Sequence, residues 1–167
     1  MTKKPTTIER ISAGKMMVAQ NKRARHEYEI LSEIECGIEL KGSEVKSLRA
    51  GRAQIQDAFA RVISGEIWVF GMNVARYEFA HGLGLADPVR PRKLLAHRDE
   101  IDELTGKLQQ KSLTLIPLAM YFKGGHAKVS LGLAKGKKLY DKRRVVAERD
   151  VARDAQREMA SLRRNRY

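Results

Sequence analysis

From Glu27 to Leu40 the apolar and charged residues of this chain change places at almost every step. Tyr28, Ile30, Ile34, Cys36, Ile38 and Leu40 share one parity, and Glu27, Glu29, Glu33, Glu35 and Glu39 take the other. A side-chain period of two sends these sets to opposite faces of a strand, so the stretch predicts an antiparallel strand with one buried and one wet face. Gly37 interrupts the run, and a bulge or bend is expected there.

The remaining chain extends the same pattern. AFARVI and EIWVF flank Ser64-Gly65, and LTLIPLAMYF and AKVSLGLA flank Lys123-Gly124-Gly125-His126, which predicts two hairpins. Two short helices are expected. One is SEVKSLRA, capped by Ser43 and ended by Gly51; the other runs from about His97 to Gln110 on an Ile101, Leu104 and Leu108 stripe. Residues 71–91 hold three Gly/Pro-rich patches and no period, so they read as a long loop. About six strands, two short helices and no βαβ rhythm predict a mainly β fold, a small antiparallel OB-like barrel with flanking short helices. Residues 1–20 are polar and read as a flexible arm, and residues 21–134 form the barrel. Residues 135–167 form a tail in which Val145, Ala152, Ala155, Met159 and Leu162 fall at helical spacing. That stripe is thin and mostly small, so the tail is expected to be disordered alone and helical when bound.

Charge narrows the function. The 33 Lys and Arg against 20 Asp and Glu leave +13, and a surplus of 7 falls from Lys135 onward. A polyanionic partner follows, and nucleic acid is the commonest one in a cell. NKRARHEY before the first long strand and RPRK at the end of the long loop have the character of phosphate contacts, with Arg23, Arg25 and Lys93 among their cations. The single cysteine, Cys36, stands among apolar residues, as a buried thiol in a reducing cytoplasm would. No stretch approaches the roughly 20 apolar residues of a membrane span.

Signals for catalysis are poor. His26, His81, His97 and His126 are scattered without cysteine partners at zinc spacing. The run from Gly132 to Lys138 imitates a phosphate loop, but it is one residue short and has Lys138 where a hydroxyl should hold magnesium. Gly82-Leu83-Gly84 lacks a third glycine, and no G-x-S-x-G element is present. Tyr140, in GKKLYDKRR, is open to three readings: a solvated residue, a catalytic phenol, or a ring that stacks on something negatively charged. A basic tail offers a phenol neither partner nor pocket.

NKRARHEYEI, GIELKGSEVKSLRAG, DPVRPRKLL, YFKGG and LGLAKGKKLYDKR, in this order from about Asn21 to Arg143, resemble the SsrA-binding (SmpB) family of bacterial trans-translation. The resemblance implies an OB-type barrel that catalyses nothing and needs no cofactor or metal. It implies binding to the tRNA-like domain of tmRNA and delivery of that RNA to stalled 70S ribosomes in the cytoplasm. Elongation factor Tu with GTP would escort the complex through alanyl-tmRNA, and the tail would lie on 16S rRNA at the decoding centre and in the empty mRNA channel. Nascent chains would then be tagged for proteolysis.

Carried over by position, the family's RNA contacts fall on Asn21, Glu35, Leu95 and Lys128, and its decoding-centre residues on Lys137, Lys138, Tyr140, Asp141, Lys142 and Arg143. A ring among cations is the composition that stacks on a base while its neighbours hold phosphates. Glu35 is the odd member, an acid set against a polyanion, unless it accepts from a base amino group or a 2′-hydroxyl or orients a nearby lysine. The rival readings are a generic OB-type RNA-binding or ribosome-assembly factor, and a nuclease on the same barrel, which lacks clustered acids or histidines.

Overall fold

The computed structural model describes residues 14–82, 85–110 and 112–164. In chain order the elements are β1 (Lys15–Gln20), α1 (Ala24–Glu27), β2 (Tyr28–Ile38), α2 (Gly42–Arg49), β3 (Ala53–Gln54), β4 (Phe59–Ile63) and β5 (Glu66–Phe70). They continue as β6 (Asn73–Val74), β7 (Arg92–Leu95), α3 (Arg98–Leu108), β8 (Leu113–Lys123), β9 (His126–Gly136) and α4 (Leu139–Arg164). The main sheet runs β1-β8-β4-β5-β7-β2-β9, and β9 pairs with β8 again. Six antiparallel strands therefore close into a ring, which removes free sheet edges over most of the circumference. β3 and β6 make a small separate ladder, so the stretch expected to be loop from residue 71 holds a short strand at Asn73–Val74, whose two residues are too few to show a period. The mainly β, barrel-like fold expected from the alternation is the one observed.

The parity of β2 reaches the core as read. Cys36 and Ile38 are buried inside the ring with Val129, Leu131 and Leu133 of β9 and Leu115 and Met120 of β8. Burial pushes the Cys36 thiol up to about 12, so it stays a neutral packing group. Both tight hairpins turn through two residues of positive φ, Ser64 (51°) with Gly65 (73°) and Gly124 (57°) with Gly125 (78°). Such turns match the twist of the flanking strands.

Four further local expectations are corrected. The bulge in β2 lies between Ile30 and Ser32, where the register with β9 shifts, and Gly37 is paired regularly on both sides. Its missing side chain serves packing instead, since a Cβ there would sit 3.3 Å from the Cβ of Leu95. Ser43 lies inside α2; the N-cap position is Lys41, whose backbone N–H donates to Glu44 Oε2 at 2.8 Å. The supposed arm contributes a strand, because β1 pairs with β8 from Lys15↔Lys123 to Gln20↔Ala119. Met16, Met17, Val18 and Ala19 are apolar but do not alternate with polar residues, so the strand had no period to read; residues 1–13 of the arm lie outside the described residues. Finally, β9 runs two residues past Ala134, with Lys135 and Gly136 still paired to Glu29 and Tyr28.

α4 follows as 26 helical residues, on which Val146, Val151 and Met159 are exposed. Its root is tied to the body. Lys137 donates its backbone N–H to Glu27 O and its Nζ to Arg25 O, each at 3.0 Å.

Candidate nucleic-acid interface

Residues far apart in sequence meet on the outer face of the barrel. Gly37 of β2 pairs with Leu95 of β7 on one side and Lys128 of β9 on the other, and Lys128 pairs with Tyr121 of β8. Cross-strand partners lie about 5 Å apart, so Leu95, Gly37, Lys128 and Tyr121 form one row across four strands. Leu95 is 50% exposed on it, and Gly37 leaves a floor with no side chain between Leu95 and Lys128. Glu35, two residues before Gly37, shares the face. Three of the four expected RNA contacts, Glu35, Leu95 and Lys128, are thus brought together.

Glu35 is also explained. Its Oε2 accepts from the Tyr121 hydroxyl at 2.5 Å and its Oε1 from Lys123 Nζ at 3.0 Å, while Lys15 Nζ lies 3.8 Å from Oε2. The Tyr121 hydrogen bond, then the Lys123 bond and the charges of Lys123 and Lys15, hold its carboxyl below the ordinary carboxylate range, against a smaller push from burial. Burial and the acceptor Glu35 push the Tyr121 phenol upward, so it stays a donor. Lys15 also stands over the Tyr121 ring, 4.7 Å from its centre. The acid is therefore a clamp that organises cations, and with Lys128 the patch carries three ammonium groups to one carboxylate. Among the described residues Lys128 has no carboxylate partner. Lys15, Tyr121, Lys123 and Gly37 escaped the sequence reading, although Tyr121 and Lys123 share a parity in LAMYFK that would have placed them together.

The remaining expected contacts are placed differently. Asn21 is 4% exposed, and its polar groups are used inside the protein. Its N–H donates to Leu118 O at 2.8 Å, its Oδ1 accepts from Ala24 N–H at 3.1 Å, and its Nδ2 donates to Pro117 O at 3.3 Å. In this position it anchors α1 to β8. Arg23 and Arg25 are exposed beside it, paired with Glu27 at 3.0 Å and Glu33 at 2.6 Å. Lys93 on β7 pairs with Glu66 at 2.5 Å. Exposed pairs of this kind contribute about 0–1 kcal/mol, so these cations exchange partners at little cost.

RPRK is corrected as a phosphate patch. Arg92 is wholly buried, donating to Glu44 Oε1, Met72 O, Arg90 O and Pro88 O, and Arg90 donates to both oxygens of the same carboxylate. Burial raises the Glu44 carboxyl, but the Arg90 bond, the Lys41 N–H and Arg92 together leave it below its ordinary value. The cluster ties Met72, Pro88 and Arg90 to α2 and β7.

In the tail, Lys138 and Arg143 are exposed and Lys137 is partly covered at the joint with α1. Tyr140, Asp141 and Lys142 occupy the first turn of α4, and their side chains lie outside the described residues.

The "SmpB protein" family model matches residues 18–161. An SsrA-binding protein of Carboxydothermus hydrogenoformans is 52% identical over 138 residues, 83% of this chain and 92% of its own length. Those of Desulforudis audaxviator and Frankia casuarinae are 56% identical over 137 residues and 49% over 154, covering 82% and 92% of this chain and 89% and 96% of their own lengths. A chain of the solved structure described as "tmRNA-SmpB: a journey to the center of the bacterial ribosome" is 53% identical, with a TM-score of 0.60 over 75% of this chain and 87% of that one.

Proposed function

The chain belongs to the SmpB family, and on that footing we propose that it works by holding tmRNA on the β7–β2–β9–β8 face while offering α4 to the ribosome. It is an RNA-binding protein that acts with tmRNA in trans-translation. The observation that carries the binding face is the row Leu95, Gly37, Lys128 with Glu35 beside it, which gathers residues from three strands into one patch. Lys15, Lys123 and Lys128 meet phosphates there as point charges, with Glu35 fixing the first two. Leu95 offers an apolar contact for a base or ribose beside the bare floor at Gly37. Arg23, Arg25 and Lys93 are additional phosphate contacts that leave their surface pairs on binding. Asn21 acts from beneath, by positioning α1.

The tail takes the second role. Lys137, Lys138, Lys142 and Arg143 hold 16S rRNA phosphates at the decoding centre, the Tyr140 ring stacks on a base, and the rest of α4 lies in the empty mRNA channel. Elongation factor Tu with GTP meets the complex through alanyl-tmRNA rather than through this chain, and the work is done in the cytoplasm. Sequencing the RNA that co-purifies with the protein tests the reading. One enriched species with a tRNA-like end is expected. Mixed ribosomal RNA without that species would instead indicate a ribosome-assembly factor.

A further inference from the structure

The barrel is incompletely closed at one seam. β4 and β8 pair only through Ala60↔Leu115. Beyond that bridge the strands part, and the end of α3 lies across the opening. The result is a cleft of about 520 Å³ lined by Arg61, Val62, Thr105, Leu108, Gln109 and Thr114, among others. A volume of that size, with apolar walls and a few hydrogen-bonding groups, is typical of small-ligand sites. The cleft shares β8 with the face described above but uses its Leu113–Leu115 end, at the other end of the strand from Tyr121 and Lys123.

Three features identify its occupant. Arg61 is exposed and, among the described residues, is the only charged one lining the cleft, so the mouth favours an anion. The neighbouring cleft beside α1, about 240 Å³, has Glu27 and Asp57 in its wall and lacks that preference. The Arg61 guanidinium also stands 5.1 Å from the centre of the Phe59 ring, and Phe59 stacks on Phe70 at 5.6 Å. A cleft with apolar walls and a few hydrogen-bonding groups, a cation at its mouth and an exposed aromatic step beside it are the parts that bind consecutive unpaired nucleotides.

We propose that the β4–α3–β8 cleft takes one unpaired ribonucleotide of the RNA partner, with its base between Val62 and Leu108, its phosphate on Arg61 and the adjoining base on Phe59. This deepens the RNA-binding reading and rests on it.

The test uses isotope-labelled full-length protein titrated with single-stranded hexauridylate and hexaadenylate. Amide shifts at Phe59, Arg61, Leu108 and Thr114 are expected. Arg61→Gln should weaken hexanucleotide binding about 5- to 10-fold and shallow its salt slope by about one phosphate contact, near 0.7. Leu108→Trp, which fills the cleft, should do the same, and the exposed Arg61 site keeps the test valid if the tryptophan variant fails to fold. Cross-linking with 4-thiouridine in growing cells then identifies the source. Attachment within Phe59–Ile63 or Leu113–Leu115 to tmRNA or to ribosomal RNA supports the site and tells the two apart. Cross-links confined to β2 and β9, unchanged affinity in Arg61→Gln, or shifts produced by an extended apolar peptide but not by RNA would overturn it. Loss of tmRNA from the wild-type protein, with hexanucleotide binding intact, would overturn the functional reading and leave the cleft standing.

Discussion

Glu35 shows how far a single residue can be read. Its wet-face parity was plain in the alternation, but its two hydrogen-bond partners, Tyr121 and Lys123, lie more than 80 residues away, and only the folded register supplies them. Glu35→Gln keeps an acceptor for Tyr121 and releases Lys15 and Lys123. We expect tmRNA affinity to fall about 5- to 10-fold, near 1–1.4 kcal/mol, while the melting temperature barely moves, because exposed ion pairs contribute little to stability. An equal loss in both measurements would make the residue structural. Asn21 was legible only as a polar group near basic residues. Its burial depends on where β8 passes, which its neighbours in sequence do not reveal.

Among the elements, α2 and the 71–91 loop are joined by a contact that composition disguised. Arginines in RPRK look like phosphate ligands in sequence, and the buried acid that claims two of them lies 46 and 48 positions earlier. Glu44→Ala would leave Arg92 buried without its counter-charge, at a cost of about 3–5 kcal/mol in denaturant unfolding. The sign of the pH effect follows from the lowered carboxyl. Its contribution is complete above the unfolded value of about 4.3 and is lost as pH falls through the still lower folded value. Wild-type stability should therefore decline below about pH 4, and the decline should be shallower in the variant. The helical spacing of the tail was legible, but its true start was not, since β9 runs on to Gly136 and Lys137 bonds to α1. Truncation after Lys138 spares both features and removes four net positive charges. Melting should be unchanged and tmRNA binding only slightly weaker, while peptide tagging on stalled ribosomes should stop. Tyr140→Ala should slow tagging roughly 5- to 150-fold through one lost base stack of about 1–3 kcal/mol, whereas Tyr140→Phe keeps the ring and most of the rate. Equal damage from Phe would refute stacking.

At the scale of the whole molecule, antiparallel alternation and short turns made the barrel readable, because a period of two and a two-residue turn are local properties. Which strand closes the ring is not local: β8 has partners in β1, β4 and β9, and β1 went unrecognised because its short apolar run does not alternate and a register shift breaks it between Met17 and Ala19. The charge of the chain was legible, but its arrangement into a clamped patch was not. With Arg23, Arg25, Lys93 and Lys128 offered to phosphates, log K for tmRNA should fall with log salt by roughly 0.7–0.9 per contact, and Lys128→Ala should remove about one contact's worth. Affinity that stays flat between low and physiological salt would refute the phosphate-contact account.

The joint at Lys137 makes α4 a lever arm. At 1.5 Å per residue its 26 residues reach about 39 Å, so a tilt of about 10° at the root carries the tip some 7 Å sideways. The aim of the far end is therefore set by the small bonds that seat α1: Asn21 on β8, Ala24 on Asn21, and Glu27 on Lys137. A residue buried beneath the body thus acts as the bearing of the arm, and a fault there would show as a pointing error at its tip before any loss of grip on RNA.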